Sequence, residues 1–117
     1  MNLEIHTRGV EMNESLAQLI ERRMLSALGR FGSRVRHVRV QLTDLNGPRG
    51  GIDTRCKIEA SLDMPGSIVI HETHETPFAA VAHASETVSR AVRRRIKRLG
   101  SKRRARRQSP DKGWSAA

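Results

Sequence analysis

The stretch TPFAAVAHASETVSRAVRRRIKRLGSKRRARR, residues 76–107, begins with the pattern of an amphipathic helix and ends as a run of arginines. Thr76 carries a good N-cap side chain, and Pro77 suits the first helical position, where its missing N–H has no partner to lose. Val81, Ala84, Val88, Ala91, Val92 and Leu99 recur at three- and four-residue spacing, which predicts one stripe facing a core. Arg90, Arg93, Arg94 and Lys97 then point the other way. Arg95 falls on the stripe itself, so either the last turn overhangs the core or this side chain snorkels outward. Gly100 is expected to stop the helix. Eleven of the chain's 22 Lys and Arg stand between residues 90 and 107 without an acid, whereas residues 1–89 carry ten basic and eleven acidic side chains.

Upstream, the sequence alternates. Leu3 and Ile5 interleave with Asn2, Glu4 and His6, the period of a half-buried strand. Asn13 is placed to cap a helix to about Arg30, with Leu16, Leu19, Ile20, Met24, Ala27 and Leu28 on one face, Phe31 closing it, and Gly29 and Gly32 at its end. Val38, Val40 and Leu42 alternate with Arg39, Gln41 and Thr43; Thr54, Cys56, Ile58, Ala60 and Leu62 alternate with Arg55, Lys57, Glu59 and Ser61. These predict a hairpin with a long loop through Asn46, Gly47, Pro48, Gly50 and Gly51. Met64, Pro65 and Gly66 then form a tight turn into a short strand, Ser67 to His71.

The resulting order, β-α-β-β-β-α, is an α+β two-layer sandwich: a four-stranded mixed sheet with two helices on one face. The first two strands, if adjacent, are parallel with a right-handed crossover, and the rest form an antiparallel meander. The open face of the sheet presents Glu4, His6, Arg39, Gln41, Arg55, Lys57 and Glu59 to water. Two regions follow: a folded domain, 1–99, and a basic tail, 100–117, whose low apolar content predicts disorder in the absence of a partner.

With 117 residues the chain holds one core, and with only Phe31, Phe78 and Trp114 as aromatics that core is aliphatic. A net charge of +10, most of it arginine, points to a polyanionic partner, since the guanidinium fork binds phosphate in a bidentate way. Helix-dipole complementation alone would need two or three basic residues in a last turn, not eleven. The exposed strand faces hold no aromatic residue on which bases could stack, so binding through phosphate and shape is favoured over stacking. Arg90, Arg93, Arg94, Lys97, Arg98, Lys102, Arg103, Arg104, Arg106 and Arg107 are the candidate RNA-binding residues, with Arg22 and Arg49 secondary. The lone Cys56 excludes an internal disulfide and falls in the inward register. The opening MNLEIHTRGV lacks the apolar run of a signal peptide or membrane span, which predicts a cytoplasmic protein with no membrane partner.

His71, His74 and His83 with Glu72 and Glu75 invite a metal reading, but H-E-T-H lacks the spacing of zinc proteases and falls at a strand end, where successive side chains diverge. Surface histidines are the expectation, with no metal and no cofactor. LNGPRGGID lacks the Gly-Lys-Ser/Thr step of a nucleotide-binding loop. No nucleophile–base pair or pair of carboxylates has the context of a catalytic site, so no enzyme and no small-molecule substrate is expected.

The segments LEIHTRGVEMNESL, VRVQLTDLNGPRGGIDTRCKIEASL and PFAAVAHASETVSRAVRRRIKRL, with Phe78 and Ala80 as an aromatic-x-Ala element, resemble the ribosome hibernation-promoting factor and ribosome-associated inhibitor family in its short form, over about residues 1 to 99. The resemblance implies a non-enzymatic protein, monomeric when free, that binds the small ribosomal subunit between head and body. There it overlaps the mRNA and tRNA sites and silences idle ribosomes in stress or stationary phase. Arg90 and Arg94 correspond to basic contact positions of that family. Thr87 stands where relatives often have lysine, and Ala82 where many have aspartate. The chain ends before the dimerisation domain of the long forms, and its tail is basic where the inhibitor type's is acidic; whether ribosomes are held paired or single stays open. Charge alone leaves two alternatives: a general RNA- or DNA-binding protein, or a regulator docking on an acidic protein.

Overall fold

A computed structural model describes the backbone of residues 1–46 and 53–108 and the side chains of residues 1–46 and 53–99. The elements follow in the expected order: β1 (Asn2–Arg8), α1 (Glu14–Leu28), a 3-10 segment (Gly29–Arg34), β2 (Val35–Asp44), β3 (Thr54–Leu62), β4 (Ser67–His74) and α2 (Pro77–Gln108). The sheet order is β1-β2-β3-β4, with β1 parallel to β2 and both later pairs antiparallel. A parallel first pair requires a crossover, and α1 provides it.

Both caps read from the sequence are made. Asn13 Oδ1 accepts from the Leu16 amide at 2.8 Å, and Thr76 Oγ1 accepts from the Ala79 amide at 3.0 Å. The α1 helix ends at Leu28, two residues earlier than expected, because Gly29–Arg34 tightens into the 3-10 segment. Gly32, at φ +58°, turns the chain there into β2, a conformation that costs a glycine little.

The core lies between helices and sheet. Leu16, Ile20, Met24 and Leu28 of α1 meet Val38, Val40, Leu42, Cys56, Ile58 and Ala60, while Ala80, Val81, Ala84, Val88 and Val92 of α2 cover the same layer. Every one of these side chains is buried, and none is aromatic. The opposite face forms cross-strand rows by register: Glu4–Arg39–Glu59–Val69, His6–Gln41–Lys57–His71 and Arg8–Thr43–Arg55–Thr73.

Two boundaries differ from expectation. The fourth strand continues through His74 instead of stopping at His71, because pairing with β3 runs on to Thr54↔His74. Gly100 does not stop α2, whose backbone is helical to Gln108. A single interior glycine costs only about 1 kcal/mol relative to alanine. Apart from Ser101, its neighbours here, leucine, lysine, arginine and alanine, are strong helix formers. Among the described residues no helix is long and apolar enough to cross a membrane.

Candidate nucleic-acid interface

The buried stripe of α2 ends at Val92, and beyond it the helix turns basic on every flank that the sheet and α1 leave open. Arg90, Arg93, Arg94, Lys97 and Arg98 are exposed, as their off-stripe positions predict. Arg95, the residue that broke the apolar pattern, is only half-buried. Its guanidinium reaches over the turn between β3 and β4, with Nη1 3.5 Å from where a Cβ on Gly66 would stand. Snorkelling toward that turn keeps the charge wet while the stem covers the end of the core.

On one flank α2 meets α1 along a groove of about 380 Å³ lined by Arg23, Ser26, Arg30, Ser89, Arg90 and Arg93, with Ala27, Ser85 and Glu86 completing it. Arg30 is fixed there: its Nη2 donates to Ser89 Oγ at 2.7 Å, and its guanidinium lies 5.3 Å from the centroid of the Phe31 ring. Glu86 is the one acid lining this groove. Four guanidinium groups around a concave, serine-lined surface form a site suited to phosphate oxygens. Arg22 is exposed beside it, in a shallow depression with Leu19, Arg23 and Ser26. On the other flank Arg94, Arg95 and Arg98 overhang β4.

The structure therefore brings Arg90 and Arg93 together, with Arg94 and Arg98 on the opposite flank of the same helix. Arg23, Arg30 and Arg95 were missed among the site candidates. For Arg23 of α1 and Arg30 of the 3-10 segment that follows it, the signal is the packing against α2, which no local pattern encodes. Lys102, Arg103, Arg104, Arg106 and Arg107 continue along helical backbone, with side chains outside the described residues. Arg49 lies outside them altogether.

The open sheet face is mixed in charge and holds no Phe, Tyr or Trp in its rows. Glu4, on the edge strand β1, lies 3.0 Å from both His6 and His37 and 3.6 Å from Arg39. The hydrogen bond from His6, aided by Arg39 and His37, holds its carboxyl below the usual range.

On the helix side, Glu72 accepts from Thr87 Oγ1 at 2.8 Å and pairs with His74 at 3.1 Å, and His74 stacks on His83 with centroids 4.0 Å apart. The Thr87 hydroxyl, followed by His74, holds Glu72 below its ordinary value. His71 points to the opposite face of the sheet from Glu72 and His74. Among the described residues no group of three or more His, Cys, Asp or Glu could hold a metal ion. Burial pushes the Cys56 thiol up to about 12, so at neutral pH it is a small core residue and not a nucleophile. Phe78 is 47% exposed, while Ala80, two residues on, is fully buried.

Three comparisons bear on this arrangement. The family model described as Sigma 54 modulation protein / S30EA ribosomal protein matches residues 3–100. A ribosome hibernation promotion factor of Deinococcus radiodurans is 30% identical over 115 residues, covering 97% of this chain and 59% of that protein. The chain thus spans less than two thirds of that relative's length. Among solved structures, the N-terminal domain of Thermus thermophilus Protein Y matches with a TM-score of 0.67 at 18% identity, covering 80% of this chain and 98% of that one. A ribosomal subunit interface protein from Coxiella burnetii matches with a TM-score of 0.61 at 13% identity, over the same shares. At these identities the two structures speak for the fold alone.

Proposed function

Since the chain belongs to the Sigma 54 modulation protein / S30EA ribosomal protein family, we propose that it is a non-catalytic ribosome-associated factor that lays the basic end of α2 on ribosomal RNA of the small subunit. It occupies the region of the mRNA and tRNA sites and keeps idle ribosomes in hibernation, the role for which the Deinococcus relative is named. One observation carries the reading: Arg23, Arg30, Arg90 and Arg93 share one groove, and Arg94, Lys97 and Arg98 continue from it along the same helix. Folded RNA offers phosphates at close, irregular spacing, and a rigid helix bearing arginines on two flanks meets them without needing base stacking. Arg90 and Arg94 give the central contacts, with Arg22 and Arg49 peripheral.

Residues 1–99 form the unit that determines register in this reading, and residues 100–117 add diffuse charge through Lys102, Arg103, Arg104, Arg106 and Arg107. The free protein is a monomer that needs no cofactor. Sedimentation of extracts from resting cells tests the proposal: the protein travels with small subunits or whole ribosomes. Migration with free RNA or DNA alone points instead to general nucleic-acid binding.

A further inference from the structure

As the last strand of the sheet, β4 has an edge with no strand beside it among the described residues. Its register against β3 is unbroken from Ser67↔Ser61 to His74↔Thr54, and it contains no Lys, Arg or Pro. Natural sheets usually blunt such edges with lysine, proline or a bulge, because a regular outer strand presents a row of unpaired backbone donors and acceptors. The strand's own inward charge, Glu72, is taken up by Thr87 and His74, and the positive charge along the edge comes from the helix. Arg94, Arg95 and Arg98 of α2 and residues Ser67, Ile68, Val69 and Ile70 of β4 line one groove of about 410 Å³. Among the described residues, no salt bridge within 4.0 Å takes up any of these three arginines.

We propose that this edge is a docking site for an extended acidic segment of a partner protein, which adds to the sheet beside β4 and sets alternate carboxylates under Arg94, Arg95 and Arg98. The spacings are compatible. Same-face residues of a strand repeat every 7 Å or so. Arg94 and Arg98 are separated by a helical rise of about 6 Å. Side chains on the other face of the guest strand lie beside Val69, which is 47% exposed and offers apolar contact to a β-branched residue. The recognised pattern is therefore an alternation of acidic and β-branched residues.

A second copy of this chain fits poorly, because pairing two β4 edges brings two sets of three arginines together. RNA satisfies the arginines but has no periodic amide row to match the strand. The inference does not depend on ribosome binding. Because Arg94 and Arg98 serve both surfaces, the acidic segment competes with RNA for them.

The test uses the full chain, isotopically labelled, and a blocked peptide of sequence Thr-Glu-Val-Glu-Thr-Glu-Val. Binding is expected to slow amide exchange across Ser67–His74 by about tenfold or more. Of the two alternate N-methylation patterns on the peptide, one abolishes binding and the other, facing away from β4, leaves it within about twofold. Combining Arg94→Gln with Arg98→Gln weakens the peptide about tenfold or more, with circular dichroism to verify the fold. Equal tolerance of both N-methyl patterns would reduce the contact to loose charge attraction and overturn the proposal. Protection of β4 by a short RNA but not by the peptide, or by self-association without it, would do the same.

Discussion

Arg30 donates from Nη2 to Ser89 Oγ across 2.7 Å, joining residues 59 apart in sequence and fixing where the end of α1 meets the basic half of α2. Ser89→Ala removes the acceptor and should cost about 1 kcal/mol of stability in urea unfolding. Arg30→Gln should weaken ribosome binding while α2 is untouched, as read by filter binding to small subunits. An affinity equal to wild type would confine the interface to α2 and exclude the groove.

Ile58 is fully buried at the centre of the sheet, in register between Val40 and Ile70. Replacing it with alanine should cost about 2–5 kcal/mol, through lost burial and a cavity that rigid strands cannot close. Guanidinium unfolding measures it. A loss below about 1 kcal/mol would mean that the core repacks around the site.

Much of this fold was legible in the sequence because its signals are local. Period-two alternation marked β1, β2 and β3, and Asn13 and Thr76 announced their helices by side-chain chemistry alone. Where the reading went astray, distant pairing decided at β4 and local helix propensity overrode the stop signal at Gly100. The β4 strand runs to His74 because Thr54 of β3 pairs with it, and α2 passes Gly100 because its neighbours outweigh one glycine. The exposed arginines of α2 could be read from their stripe. Arg23 and Arg30 could not, since only the packing against α2 makes them neighbours of Arg90 and Arg93.

Glu72 predicts a dependence on pH. Its folded-state pKa lies below the ordinary 4.5, first through the hydroxyl of Thr87 and then through His74. A depressed carboxylate stabilises the fold above its unfolded-state value, and that contribution is lost as pH falls through the lower folded value. Thr87→Val should therefore destabilise the protein at pH 7 and narrow its gap to wild type as pH drops below 4.5. Thermal unfolding at a series of pH values checks the sign; a gap that widens on acidification would contradict it.

Salt dependence separates phosphate contact from apolar docking. The logarithm of ribosome affinity should fall linearly with the logarithm of salt concentration, by about 0.7–0.9 per phosphate contacted. Deleting residues 101–117 removes Lys102, Arg103, Arg104, Arg106, Arg107 and Lys112 and should flatten that slope by up to about five. Competition for the same site should survive at higher protein concentration. An unchanged slope would show that the tail makes no phosphate contact.

The central claim is that the basic end of α2 carries the ribosomal contact. The most direct measurement is equilibrium binding of purified small subunits to wild type and to the double variant Arg90→Glu, Arg94→Glu. Both side chains are exposed and lie off the buried stripe, so the melting temperature should hold. Affinity should drop by about a hundredfold or more, since two phosphate contacts become two repulsions. A folded double variant that binds small subunits as tightly as wild type would contradict the account.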